Sequence, residues 1–148
     1  MGRRLAKKLG WRFIDLDEEI ERREGRVIPS IFRDDGEPRF RQLERLCLKH
    51  VSSSKNAVIA LGGGAFADPE NRNLAETTGL TVWLKVSFAN VVDRVRIDGT
   101  RPKFADRDQA ERLYESRESA YALAKVHVST DVLSPESVAD EILGVVRK

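Results

Sequence analysis

A parallel α/β sheet with helices alternating between its strands is the fold this sequence predicts, and three observations predict it. Four short runs rich in β-branched and aromatic residues, at 11–17, 57–61, 81–86 and 126–129, alternate with stretches of helical periodicity. That alternation is the signature of parallel strands joined by right-handed crossovers. The run AVIAL is too short for a helix and apolar on both faces, as a buried central strand is. It then enters Gly62, Gly63 and Gly64 without a break. Ligands of open α/β sheets sit beyond the carboxyl ends of the strands, where glycine exposes bare backbone N–H groups. Three successive glycines cost more chain entropy than a plain turn needs, so this turn is the predicted centre of a binding site.

The elements follow in order. Residues 2–9, GRRLAKKL, place Leu5 and Leu9 one turn apart and predict a surface helix stopped by Gly10, with no capping residue visible at its start. The strand at 11–17, WRFIDLD, brings Asp15 and Asp17 to its carboxyl end as a chemical pair. Asp17 also suits the cap of the helix that follows, and Asp15 alone also reads as an ordinary exposed acid. Pro29 opens a short helix that Gly36 closes in the left-handed conformation, and a second helix runs over 38–51 with Phe40, Leu43, Cys47 and Leu48 on one side. Together they form an inserted lobe. Arg41 on this lobe reads either as a solvated charge or as a grip on an anion. His50 reads as a helix-dipole partner.

Beyond the glycines the pattern predicts a helix over 69–76, a strand with Trp83 in the core, and a helix over 88–97 carrying Arg94. Residues 100–104, TRPKF, form a polar loop able to act as a lid, in which Arg101 is either solvated or functional. A long amphipathic helix over 108–123 carries Arg117 one turn before Tyr121, and a last strand holds His127 outward in a structural role. Pro135 opens the final helix, with Val138, Ile142, Val145 and Val146 as its buried stripe.

Composition bounds the classes open to the chain. Its 148 residues suffice for one domain with its own core. Cys47 is the sole cysteine, which excludes a disulfide framework or cysteine zinc site and points to a reducing cytoplasm. No stretch approaches the roughly 20 apolar residues of a bilayer helix. The 26 Lys and Arg against 24 Asp and Glu are interspersed, which argues against nucleic acid as a partner.

In this order, FIDLDEEIERREG, IFRDDGEPRFRQLE, ALGGGA, the Arg101–Pro102 pair and RESAY resemble the shikimate kinase family of P-loop small-molecule kinases, over nearly the whole chain. The resemblance implies a three-layer parallel sheet of P-loop kinase type in a single domain over 1–148, with a substrate lobe at about 17–51 and a lid at about 97–108. It implies ATP-dependent phosphorylation of the shikimate 3-hydroxyl in aromatic amino-acid biosynthesis, with Mg2+, in a cytoplasmic monomer. Asp17 would hold the ring hydroxyls and serve as base or orienter, and Asp15 would support Mg2+ through water. Arg41 and Arg117 would clamp the carboxylate, a task suited to planar guanidinium forks. Gly62, Gly63 and Gly64 would face the ring, Phe32, Phe40 and Glu44 would shape the pocket, and Glu44 would orient an arginine. Arg101 would reach the transferring phosphate, and Arg94 would lie near the adenine.

Two departures stand out. Lys103 and Phe104 follow the lid proline where the family carries leucines, and no G-x-x-x-x-G-K-[ST] loop occurs anywhere. In the family that loop, with the strand before it, precedes the helix that GRRLAKKL resembles. The sequence is therefore expected to hold four of the usual five strands, lacking the central one, and to leave either a gap between Val58 and Val82 or direct pairing across it. A gluconate-type kinase is the alternative enzyme, although it would not need two arginines for a carboxylate. A catalytically inactive shikimate-binding module is the alternative from another class.

Overall fold

In the computed structural model, which describes residues 2–85, 107–131 and 133–146, all four strand-type runs are strands. Each is four residues long: β1 spans Arg12–Asp15, β2 Ala57–Ala60, β3 Val82–Lys85 and β4 Val126–Ser129. β1 runs parallel to β2, with Phe13 opposite Val58 and Asp15 opposite Ala60. β3 runs parallel to β4, with Trp83 opposite His127. No pairing joins β2 to β3 among the described residues, so the strands form two ladders with the expected gap between them.

β1 stops two residues earlier than the sequence suggests, and the cause is a cap. The Asp15 carboxylate accepts the N–H groups of Asp17 (2.9 Å) and Glu18 (3.2 Å), satisfying donors that the first helical turn leaves open. Helix α2 therefore spans Leu16–Glu24, and its cap is Asp15, not the expected Asp17. It ends at Gly25, whose φ of 66° lets its N–H reach the Glu21 carbonyl.

Helix α1, Gly2–Leu9, ends at Gly10 with φ 71° as expected. Its Leu5 and Ala6 are buried, and Lys8 reaches Glu136 (2.6 Å) and Asp140 (2.9 Å) on the final helix. Helix α3, Ile28–Val51, is two helices broken at Gly36. The sequence suggests a left-handed stop there, whereas Gly36 has φ 84° and ψ 168°, an extended positive-φ conformation that is essentially glycine's alone. Pro38 then falls in the first turn of the second half, where its missing N–H breaks no bond. Helix α4, Pro69–Thr78, is capped by Asp68, which accepts the Glu70 N–H at 2.9 Å. Helix α5 spans Arg107–Tyr121 and α6 Pro135–Val146. The helix expected over 88–97, with Arg94, and the lid residues Arg101, Pro102, Lys103 and Phe104 lie outside the described residues.

Two apolar clusters hold these elements. One joins Ile14, Leu16 and Ile20 to Ile31, Phe40, Leu43, Cys47, Leu48 and Val51, locking the helical lobe under the first ladder. The other joins Leu5 of α1 to Val128, Val138 and Ile142, with Val58, Val82 and Leu84 packed against it. Fully burying one such side chain contributes about 1.5–3 kcal/mol. Val58 thus ties β2 to the core under the second ladder without a backbone bond between them. β2 is half-buried along its length, not fully buried as expected, since its second edge has no described partner.

Candidate active site

The carboxyl ends of β1 and β2 lie side by side because their register pairs Asp15 with Ala60. The chain leaves β1 directly into α2 and leaves β2 into the glycine turn. Asp17, in the first turn of α2, consequently meets Gly62. A Cβ added to Gly62 would lie 2.8 and 3.0 Å from the Asp17 carboxylate oxygens. One added to Gly64 would lie 2.7 Å from Arg41 Nη2 and 2.8 Å from its Cζ. Neither glycine has a positive φ. A side chain at either position would have to displace a carboxylate or a guanidinium of this chain. Sequence reasoning had reserved that space for a ligand alone.

Arg41 is held from its own helix. Glu44 accepts from Nη1 at 3.0 and 3.2 Å and Glu37 accepts from Nη2 at 3.3 Å, while the guanidinium carbon lies 5.3 Å from the Phe40 ring centroid. Phe40 is buried and packs on Phe32 with centroids 4.7 Å apart, which fixes the wall beside the arginine. Glu44 is 1% exposed. Burial pushes its carboxyl above the ordinary glutamate range, Asp17 adds to the push, and Arg41 and Arg117 oppose it. Through Glu44, then, Asp17, Arg41 and Arg117 share one electrostatic neighbourhood, although they come from α2, α3 and α5.

Tyr121 entered the sequence reading as part of an amphipathic helix and of the RESAY motif, with no partner assigned to it. Its hydroxyl donates to the Gly63 carbonyl oxygen, from 58 residues away. No local signal announces a contact of that separation. His127 is structural as expected: its Nε2 lies 3.0 Å from the Ala122 and Ala124 carbonyls, and its ring meets Trp83 edge-on at 5.1 Å. His50 is exposed in the last turn of α3. Among the described residues no group of three His, Cys, Asp or Glu forms a metal cage.

A carboxylate and a guanidinium set against one glycine turn, at the carboxyl ends of parallel strands, stand where open α/β proteins bind their ligands. Comparison with known proteins narrows this. The shikimate kinase family model matches residues 1–147. The shikimate kinase of Persephonella marina is 40% identical over 148 residues, covering 99% of this chain and 90% of that protein. That of Thermus thermophilus is 40% identical over 147 residues, covering 97% and 80%. Among solved structures, shikimate kinase from Acinetobacter baumannii in complex with shikimate superposes with a TM-score of 0.91 at 33% identity, covering 99% of this chain and 84% of that one. The Aquifex aeolicus shikimate kinase gives 0.88 at 36% identity, covering 99% and 87%. The chain belongs to the shikimate kinase family of ATP-dependent phosphotransferases.

Proposed function

We propose that this chain binds shikimate on the glycine turn and that its site is built to direct the 3-hydroxyl of shikimate at the γ-phosphate of ATP. The observation that carries the reading is the seating of Asp17 against Gly62 and of Arg41 against Gly64, an acceptor and a cation at the two ends of one turn. Arg41, with Arg117 from α5, would clamp the carboxylate; Asp17 would accept from the ring hydroxyls and take the proton as the hydroxyl oxygen attacks phosphorus and ADP departs. Gly62, Gly63 and Gly64 would face the ring, Phe32 and Phe40 would wall it, and Glu44 would orient Arg41. Arg101 and Arg94 would serve the phosphate and the adenine. Asp15 spends only Oδ1 on its cap, and one carboxylate with phosphate oxygens suits Mg2+, so Asp15 would hold the ion through water. Bound there, Mg2+ neutralises charge on the phosphate oxygens. The cytoplasmic setting and monomeric state belong to the same proposal.

A second reading has its own support. The sequence holds no G-x-x-x-x-G-K-[ST] loop, and among the described residues the two ladders are not joined. Phosphoryl transfer depends almost wholly on positioning and charge, and losing one preorganised donor costs an enzyme about 10² to 10³ in rate. Shikimate binding without measurable turnover is what this second reading expects. Calorimetry with shikimate and with ATP separates the readings: both bind to a kinase, shikimate alone to a binding module. Removing one charged partner of a buried carboxylate costs about 2 to 5 kcal/mol, so Arg41→Ala and Arg117→Ala should each weaken shikimate more than tenfold. Smaller changes in both would sink the clamp, and turnover within about tenfold of ordinary kinase rates of 1–100 per second would show a phosphate site built from other residues.

A further inference from the structure

Tyr121 has no part in the clamp, yet it joins α5 to the glycine turn. Its hydroxyl donates to the Gly63 carbonyl oxygen, and its ring meets Phe66 and Trp83 at centroid distances of 6.4 and 6.1 Å. Trp83 is itself braced by His127, which bonds the carbonyls just past the end of α5. The carboxyl end of α5 is thus fastened to β3, β4 and the turn at one place. Arg117 lies one helical turn earlier on the same face, within electrostatic reach of the Glu44 that holds Arg41. Gly63, flanked by glycines, has the widest backbone freedom available to a chain and no side chain to anchor it.

We propose that Tyr121 is a positioning residue: its hydroxyl fixes the glycine turn against α5 and so sets the distance across which Arg117 and Arg41 receive a carboxylate. The inference rests on the reading of those two arginines as the clamp. An unfastened turn spends part of its time in other conformations, and apparent affinity falls by the fraction of competent molecules.

Tyr121→Phe keeps the ring and deletes only the hydroxyl. Four measurements on the full chain decide: the melting midpoint, shikimate affinity by calorimetry, exchange of the Ala65 amide, whose bond to the Gly62 carbonyl closes the turn at 3.3 Å, and a double-mutant cycle with Arg117→Ala. The melting midpoint should move by no more than about 4 °C. Affinity should fall about three- to tenfold, the equivalent of one hydrogen bond, and Ala65 exchange should quicken by at least as much. In the Arg117→Ala background the same change should cost less than about twofold, because the distance it sets no longer matters. Unchanged affinity, unchanged exchange or fully additive losses overturn the proposal while leaving the clamp standing. If Arg117→Ala itself leaves affinity unchanged, or if the unaltered chain does not take up shikimate, the clamp fails and the positioning role falls with it.

Discussion

Gly64→Ala isolates the claim that the glycine turn exists to admit Arg41. The added methyl would sit 2.8 Å from Arg41 Cζ, whereas carbon atoms rest comfortably at about 3.5–4.0 Å, so the guanidinium must retreat by about an ångström. Its bonds to Glu44 stand at 3.0 and 3.2 Å, and such a retreat carries them past the range of about 2.7–3.2 Å in which these bonds form. The backbone is not strained, since Gly64 is outside the left-handed region. The loss therefore falls on Arg41 and on buried Glu44, which, deprived of its partner, takes up a proton. A hydrogen bond to a charged group contributes about 1.5–3 kcal/mol, which at about 1.4 kcal/mol per tenfold predicts shikimate binding weaker by roughly ten- to a hundredfold. Stability should fall by a similar free energy or less, about 2–4 °C of melting midpoint per kcal/mol, leaving a folded protein in which to read the loss. Gly79→Ala is the control, because a Cβ there meets nothing within 4 Å. Calorimetry and thermal melting on the same preparations give the answer. A Gly64→Ala protein that binds shikimate within about threefold of the parent would refute the reasoning, as would one whose loss of binding merely tracks unfolding.

Three further outcomes follow from the geometry. Burial raises the Glu44 pKa above its unfolded value, so its contribution to stability is fully present below that value and lost as pH rises through the folded one. Urea unfolding should then show Glu44→Gln gaining on the parent from acid to neutral pH, and a flat difference would contradict it. Burial alone would raise Asp68, but Arg45 at 2.5 Å and the Glu70 N–H together hold it below the ordinary range. Asp68→Ala should cost about 0.5–2 kcal/mol at neutral pH, shrinking as pH falls through the depressed value, and a cost independent of pH would discard the ion pair. Along β2, amides bonded to β1 should exchange slowly and their alternates quickly; uniform protection, or a monomer melting cooperatively above about 60 °C, would show that the gap between the ladders is filled or unimportant.

What the sequence disclosed was what short-range chemistry governs. Gly10 ends its helix with positive φ because a left-handed residue is cheapest there as glycine, and that rule needs no tertiary knowledge. The strands were readable from alternation, and their pairing, with the gap between Val58 and Val82, from the strand order that the family resemblance implies. The Asp15 cap was misassigned to Asp17 because two aspartates two residues apart both suit a helix start, and only the actual beginning of α2 chooses between them. At Gly36 the identity of the residue announced a break, but its ψ depends on how the halves of α3 pack. The occupants of the glycine turn, and the Tyr121 contact beside them, join residues from distant parts of the chain, and no window of sequence contains both partners.

The pairing of α1 with α6 has a consequence for how the protein is made. Leu5 needs Val138 and Ile142 for its burial, and Lys8 needs Glu136, 128 residues later in the sequence. At about 5–20 residues per second, α1 is synthesised roughly 6 to 25 seconds before its partner exists. The cluster formed by residues between Ile14 and Leu74 requires nothing from α6 and can close during that interval. Folding on the ribosome is thus divided in time: the half that carries Asp17 and Arg41 can settle first, and the glycine turn is fastened once Tyr121 arrives. Until α6 exists, α1, with its apolar stripe and with Lys8 still without Glu136 and Asp140, is a segment that nascent-chain chaperones would meet.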